Sequence, residues 1–131
     1  MAESKQDLLH VVVVESEKAP YKKAFQAGLK PMQEIVGGTI QVLYPFSEPI
    51  ALICNDEGKV LGLPFIRSLR DESGKLYDVI SGTFFLCGAP ADSDRFESLT
   101  EQQTAWCLER FRVPELIFPL NGSLIVLPMV P

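Results

Sequence analysis

Histidine is nearly absent from this sequence: His10 is the only one. Any triad or dyad that uses imidazole as its base would have to be built on that single side chain. His10 directly precedes Val11-Val12-Val13-Val14, so it reads as the opening residue of a buried strand and not as a base. Cysteine is scarce too. Cys54, Cys87 and Cys107 are far apart, odd in number and never in CxxC spacing. That excludes a zinc cluster and a disulfide framework, and leaves three buried, reduced thiols as the expectation. No metal, no cofactor and no catalytic residue is implied.

Runs of one charge are missing as well. Twelve Lys and Arg stand against 17 Asp and Glu, for a net charge of −5, and the two signs are interspersed. Binding a phosphate backbone requires clustered cations. Lys22-Lys23 and the Arg67/Arg70 pair are the nearest approach, so no nucleic-acid partner is expected. Nor do the 17 acids, offset by 12 bases, form a dense phosphate-like array, which argues against DNA mimicry. Long apolar runs are also lacking. Val11–Val14 is too short for a leader's apolar core and Met1–Asp7 is polar. The tail from Leu116 carries Pro119, Asn121, Gly122, Ser123 and Pro128 and cannot span a bilayer as one helix. The expectation is a cytoplasmic protein without a membrane partner.

What is present is an ordinary globular mix, 47% hydrophobic and 22% charged over 131 residues. That suffices for one compact core without metal or disulfide support. Read along the chain, Leu8–Val14 is a buried strand, and Tyr21–Phe25 alternates as its hairpin partner. A helix from Tyr21 is the competing reading, with Pro20 in its first turn. Pro31 suits the first turn of a helix starting near Leu29, with an apolar stripe Leu29, Met32, Val36 and a stop at Gly37-Gly38. Thr39–Tyr44 alternates as a strand. Ile50–Cys54 and Lys59–Leu63 read as a hairpin around Asn55–Gly58, with Gly58 at positive φ. Pro64–Leu69 reads as irregular or edge-like. Tyr77–Ile80 and Thr83–Cys87 are strands separated by a bulge at Ser81-Gly82.

Ser98-Leu99-Thr100-Glu101 matches a capping box ahead of a helix that runs to about Phe111, with Thr104, Cys107, Leu108 and Phe111 facing the core. Asn121-Gly122 marks a tight hairpin between two apolar strands. The expected fold class is α+β: a mostly antiparallel sheet of about seven or eight short strands in hairpins, with two helices. The expected domain is single and covers residues 1–131, with residues 1–6 frayed.

Few side chains stand out as chemistry. Asp56, Glu57, Asp71 and Glu72 lie in turn sequences where acids favour solvation and local hydrogen bonds. Asp78 sits in an apolar strand, so a buried position would require a cation such as Arg67 or Arg70 beside it. An enzyme built on Asp56, Asp71 and Asp78 would require the three to share one cleft. Trp106 lies off the main helix face, as the edge of a wide core or an interface anchor.

Several segments nonetheless resemble a known family. Met32-Gln33-Glu34-Ile35-Val36-Gly37-Gly38-Thr39-Ile40-Gln41-Val42 is similar to an LQxxVGGxIExV signature. Cys54–Lys59, Gly62-Leu63-Pro64, Tyr77–Phe84 and the tail around Pro114, Phe118 and Asn121-Gly122 extend the likeness from about Val11 to Leu127. The family is a bacterial domain of unknown function, common on conjugative elements, plasmids and phages of Gram-positive gut bacteria. It usually carries Asn two residues after the LP, where this chain has Ile66. The resemblance implies an accessory role on a mobile element and brings no activity with it.

Together these features lead to a non-enzymatic interaction protein, a counter-defence or regulatory factor acting on a host or element-encoded protein, with homodimerisation as a further option. The alternative is a small-ligand domain of nucleotide type. The residues expected to bind partner or ligand are Asn55, Pro64, Arg67, Arg70, Asp78 and Trp106.

Overall fold

The structure is a computed structural model that describes residues 8–129. β1 (Leu8–Val14) and β2 (Tyr21–Gln26) form the first hairpin, in register Val13↔Tyr21 to Leu8↔Gln26. The hairpin reading of Tyr21–Phe25 therefore holds over the helical one. Helix α1 (Leu29–Val36) takes Pro31 in its first turn, where no backbone donor is needed. Gly37 (φ 79°) ends it, and its N–H donates to the Gln33 carbonyl at 2.8 Å. β3 (Ile40–Leu43) pairs with β4 (Ile50–Asn55).

β5 (Phe65–Arg70) and β6 (Leu76–Ser81) make a separate two-stranded sheet, and β7 (Phe84–Gly88) returns to the first sheet. β7 lies between β1 and β4, giving the order β2-β1-β7-β4-β3 with every neighbour antiparallel. Helix α2 (Glu101–Arg110) and a third sheet, the hairpin β8 (Glu115–Leu120) with β9 (Ser123–Pro128), follow. Asn121 (φ 52°) and Gly122 (φ 81°) supply the paired positive φ of the tight turn that Asn-Gly predicts. Nine strands and two helices thus realise the expected α+β class among the described residues.

Alternation along the central strands builds two cores, one on each face of the five-stranded sheet. Val12, Val14, Leu52, Phe84 and Leu86 meet Ile66, Leu69 and Ile80 of the second sheet and Cys107 and Phe111 of α2. Val11, Val13, Ala51, Ile53 and Phe85 meet Met32 and Val36 of α1. With cover on both sides, β4 and β7 are buried at every residue.

Five local expectations change. Lys59–Leu63 is not a strand: Asp56–Gly62 is a run of turns, and positive φ belongs to Gly62 (75°), not Gly58. Pro64–Leu69 is not irregular, because Phe65–Arg70 is β5, whose Ile66–Leu69 are all buried. Ser81-Gly82 is no bulge within one sheet. Gly82 (φ 84°) turns the chain out of the second sheet and into the first.

The capping box sits two residues later than expected. Thr100 Oγ1 accepts from Gln103 N and Gln103 Oε1 accepts from Thr100 N, both at 3.0 Å. Ser98 is drawn to β1 instead, where its Oγ accepts from His10 N at 2.9 Å and the neighbouring Leu99 N donates to His10 O at 3.0 Å. His10 lies near the start of the largely buried β1, as expected, with its own side chain exposed. The fraying expected of residues 1–6 concerns positions outside the described residues.

Candidate functional site

The segments that carried the resemblance are distant in sequence and meet in space. Asn55, 5% exposed at the end of β4, donates from Nδ2 to Val36 O at 3.1 Å and accepts from Glu57 N at Oδ1 at 2.7 Å. It thereby clasps the C-terminus of α1 to the turn after β4. A Cβ on Gly58 would stand 2.7 Å from the Ser81 carbonyl, and one on Gly82 2.8 Å from Leu63 Cδ1. Both glycines are contact surfaces where two turns cross. Pro64, itself exposed, accepts from Gly82 N at 2.8 Å. Above this crossing Lys59 Nζ donates to Asp78 Oδ1 at 2.7 Å. Asp78 is thus partnered by Lys59 and not by Arg67 or Arg70. It stays partly exposed because β6 turns that residue outward. A crevice of about 90 Å³ remains among Asn55, Asp56, Gly58, Lys59, Asp78 and Ser81, and the buried Ser81 Oγ has no partner there among the described residues.

Arg67 is 1% exposed. All five of its N–H donors go to backbone carbonyls: Nε and Nη2 to Phe111 O at 3.2 and 3.1 Å, Nη2 also to Lys18 O at 2.9 Å, and Nη1 to Ile66 O at 3.0 Å and Glu15 O at 3.5 Å. Burial pulls its pKa below the ordinary value while Glu115 opposes that shift. Arg67, expected to contact an anion, has each of its donors directed to a backbone carbonyl. It is a rivet joining the β1–β2 loop, β5 and the end of α2. Ile66 is 1% exposed and sits in the main core.

Arg70 and Trp106 do come together. They line a cleft of about 440 Å³ between the β3–β4 loop, the β5–β6 hairpin and α2. Trp106 packs at the core edge, edge-on to Phe46 at 4.9 Å between centroids. Arg110, one turn further along α2, joins them and was missed, although its i, i+4 spacing from Trp106 places both on one helix face. Tyr77, half exposed, forms the opposite wall.

The remaining candidates stay apart. Asp56 and Asp78 border the small crevice, while Asp71 borders the cleft, its carboxylate occupied by Ser73 N, Ser73 Oγ and Lys75 N at 2.7–2.9 Å. The three carboxylates therefore do not share one cleft. Cys54, Cys87 and Cys107 are free and buried, and burial raises their thiols to about 11, 12 and 12. Raised thiols of this kind carry little of the nucleophilic thiolate at neutral pH. No cluster of three His, Cys, Asp or Glu side chains able to hold a metal occurs among the described residues. No helix among them is long and apolar enough to cross a membrane.

The β8–β9 hairpin was read only as a hairpin, yet both of its faces are apolar. The inner face, with Ile117 8% exposed, packs toward β5, and Glu115 accepts from Ser68 N and Oγ at 2.7 and 2.9 Å. Opposite pairs Leu116↔Leu127 and Phe118↔Ile125, followed by Leu120, form the outer face. Leu116, Leu127 and Leu120 are 48%, 47% and 51% exposed. The contiguous apolar runs Leu116–Phe118 and Leu124–Leu127 were the available signal, because a strand with only one covered face alternates with polar residues.

The fold is an antiparallel α+β domain in which Asn55, Gly58, Pro64 and Gly82 hold turns together. The chain belongs to the family described as domain of unknown function (DUF3846), whose model matches residues 9–112. The match covers everything from β1 through α2 and stops short of the β8–β9 hairpin. No curated protein and no solved structure matches the chain.

Proposed function

We propose that this chain is a non-enzymatic protein-interaction domain and that the β8–β9 hairpin is its docking element. In this reading it serves a bacterial mobile element in the cytoplasm as a regulatory or counter-defence factor, binding a host or element-encoded protein. The likeness of its motifs to a family common on such elements supports the setting. The open outer face of the hairpin carries the docking role. A two-stranded sheet with an uncovered apolar face is marginal in water, and such patches mark interaction surfaces.

The edges differ in the same direction. β2, an edge of the central sheet, carries Lys22 and Lys23, which discourage strand addition. β9 runs Ser-Leu-Ile-Val-Leu-Pro without a charge and pairs on one side only among the described residues. The partner that fits is a protein offering an apolar strand or face, joined by strand addition and side-chain burial.

The test uses the chain immobilised on a support and a lysate of its bacterial host, followed by purification of the protein retained. In a binding titration with that purified partner, the double variant Leu116→Glu/Leu127→Glu should bind at least tenfold more weakly than the unaltered chain. Equal binding by the variant removes the hairpin from the interface. Self-association in sedimentation that the same variant abolishes would assign the face to a second copy and overturn the partner reading.

A further inference from the structure

We propose that the cleft between Phe46, Tyr77 and Trp106 is a binding site for a mononucleotide, with Arg110 and Arg70 receiving its phosphate and the aromatic side chains receiving its base. The proposal is independent of the hairpin, which lies elsewhere in the chain. Four observations carry it.

The first is an unspent guanidinium. Arg110 is half buried on α2 and, among the described residues, makes no hydrogen bond and has no carboxylate within 4 Å. Its Cζ lies 4.9 Å from the ring centroid of Phe111. Arg67, by contrast, spends every donor. A partly desolvated guanidinium with free donors is suited to bidentate contact with a phosphate.

The second is Arg70 on the same wall, exposed and with a single hydrogen bond, Nη1 to Gly74 O at 3.1 Å. Burial is the main cause that lowers the Arg110 pKa; Glu115 opposes the shift and Arg70 adds to it more weakly.

The third is aromatic cover. Trp106, Phe46 and Tyr77 line a space of about 440 Å³, within the range of roughly 300–1,000 Å³ common for small-molecule sites. Planar rings placed beside cations suit a ligand that joins a base to a phosphate.

The fourth is the remaining charge of the lining. Asp71, whose Oδ1 is held by its own turn, keeps its negative charge at the border of the cleft. Glu48 and Glu72 stand exposed at the rim. Rim acids on a chain of net charge −5 disfavour a polyanion while tolerating a single phosphate, which selects a mononucleotide over an oligonucleotide.

Trp106 is the chain's only tryptophan, so its fluorescence reports on this cleft alone. The experiment titrates the full chain with adenosine and guanosine monophosphates, the corresponding nucleosides, inorganic phosphate and a short oligonucleotide. At least one nucleotide should give saturable quenching, with phosphate, its nucleoside and the oligonucleotide each at least tenfold weaker. Arg110→Gln should weaken the nucleotide at least tenfold, and Arg95→Gln, on a remote loop, should change nothing. If Arg110→Gln fails to fold by circular dichroism, Arg70→Gln takes its place with an expected loss of at least threefold. Absence of saturable quenching, equal affinity for phosphate alone or for the nucleoside alone, or an arginine variant that binds normally each overturns the proposal.

Discussion

Arg67 shows how a side chain expected to meet a ligand can be consumed by the fold. A charge carried to 1% exposure without a carboxylate partner is tolerated only because five carbonyl contacts replace its hydration. Arg67→Ala should strand the carbonyls of Phe111 and Lys18 and cost about 3–5 kcal/mol. Arg67→Lys should recover only part of that, since a single ammonium cannot reach carbonyls on three segments. Urea unfolding at neutral pH measures both. Asn55 follows the same logic on a smaller scale. Asn55→Ala should cost about 1–3 kcal/mol, with faster hydrogen exchange at Gly37 and Gly38, whose amides lie where the clasp holds the end of α1. Gly58→Ala should also destabilise, because its Cβ meets backbone at 2.7 Å and backbone cannot rotate away. In this chain Asn55 and Gly58 are residues of turn geometry.

At the scale of the element, the β8–β9 hairpin separates core from surface. Ile117→Ala on the inner face should lose about 2–4 kcal/mol in thermal or urea unfolding. Leu127→Ala on the outer face should change stability by less than about 0.5 kcal/mol. A large loss at Leu127 would mean that the outer face is already covered within the molecule. Helix α2 allows a sharper contrast. Thr100→Ala removes the cap that Gln103 N donates to and should cost about 1 kcal/mol, whereas Glu101→Ala should cost much less. The order would reverse if the capping box began at Ser98, as the local sequence suggested. The sequence holds two overlapping candidates, Ser98/Glu101 and Thr100/Gln103. Only the pull of β1 on Ser98 and Leu99 selects between them.

For the whole molecule, the buried thiols and Tyr21 set the alkaline limit. Cys54, Cys87 and Cys107 have thiols raised by burial from 9.0 to about 11–12. Tyr21, half buried and donating to a Glu15 carboxylate oxygen, is raised from 10.0 to about 12 by burial and by that acceptor. Each group keeps its proton to higher pH when folded than when unfolded. Above pH 9 the folded chain therefore binds more protons than the unfolded one, and stability must fall as pH rises. Each group contributes up to about 1.4 kcal/mol per pH unit across its own window. The urea midpoint should hold below pH 9 and drop steeply between pH 9 and pH 12, and Cys107→Ala should flatten that drop. A midpoint indifferent to pH across this range would show that the thiols are not protected.

Local chemistry settled much of this protein before any tertiary contact. β-branched and alternating runs made β1, β3, β4 and β7. Pro31 and Gly37 bounded α1, Asn121-Gly122 fixed the last hairpin, and the scatter of cysteines left three free thiols. These depend on a residue's immediate neighbours, which is why they could be read directly. The rest required partners distant in the chain. β7 enters between β1 and β4, and β5 becomes a buried strand because the face of that sheet covers it. Asp78 finds Lys59, and Arg67 is absorbed by carbonyls from the β1–β2 loop and the end of α2. The cleft of Arg70, Trp106 and Arg110 exists only where three elements converge. A side chain's donors are free or spent according to what long-range packing brings to them, and that is decided by the fold as a whole.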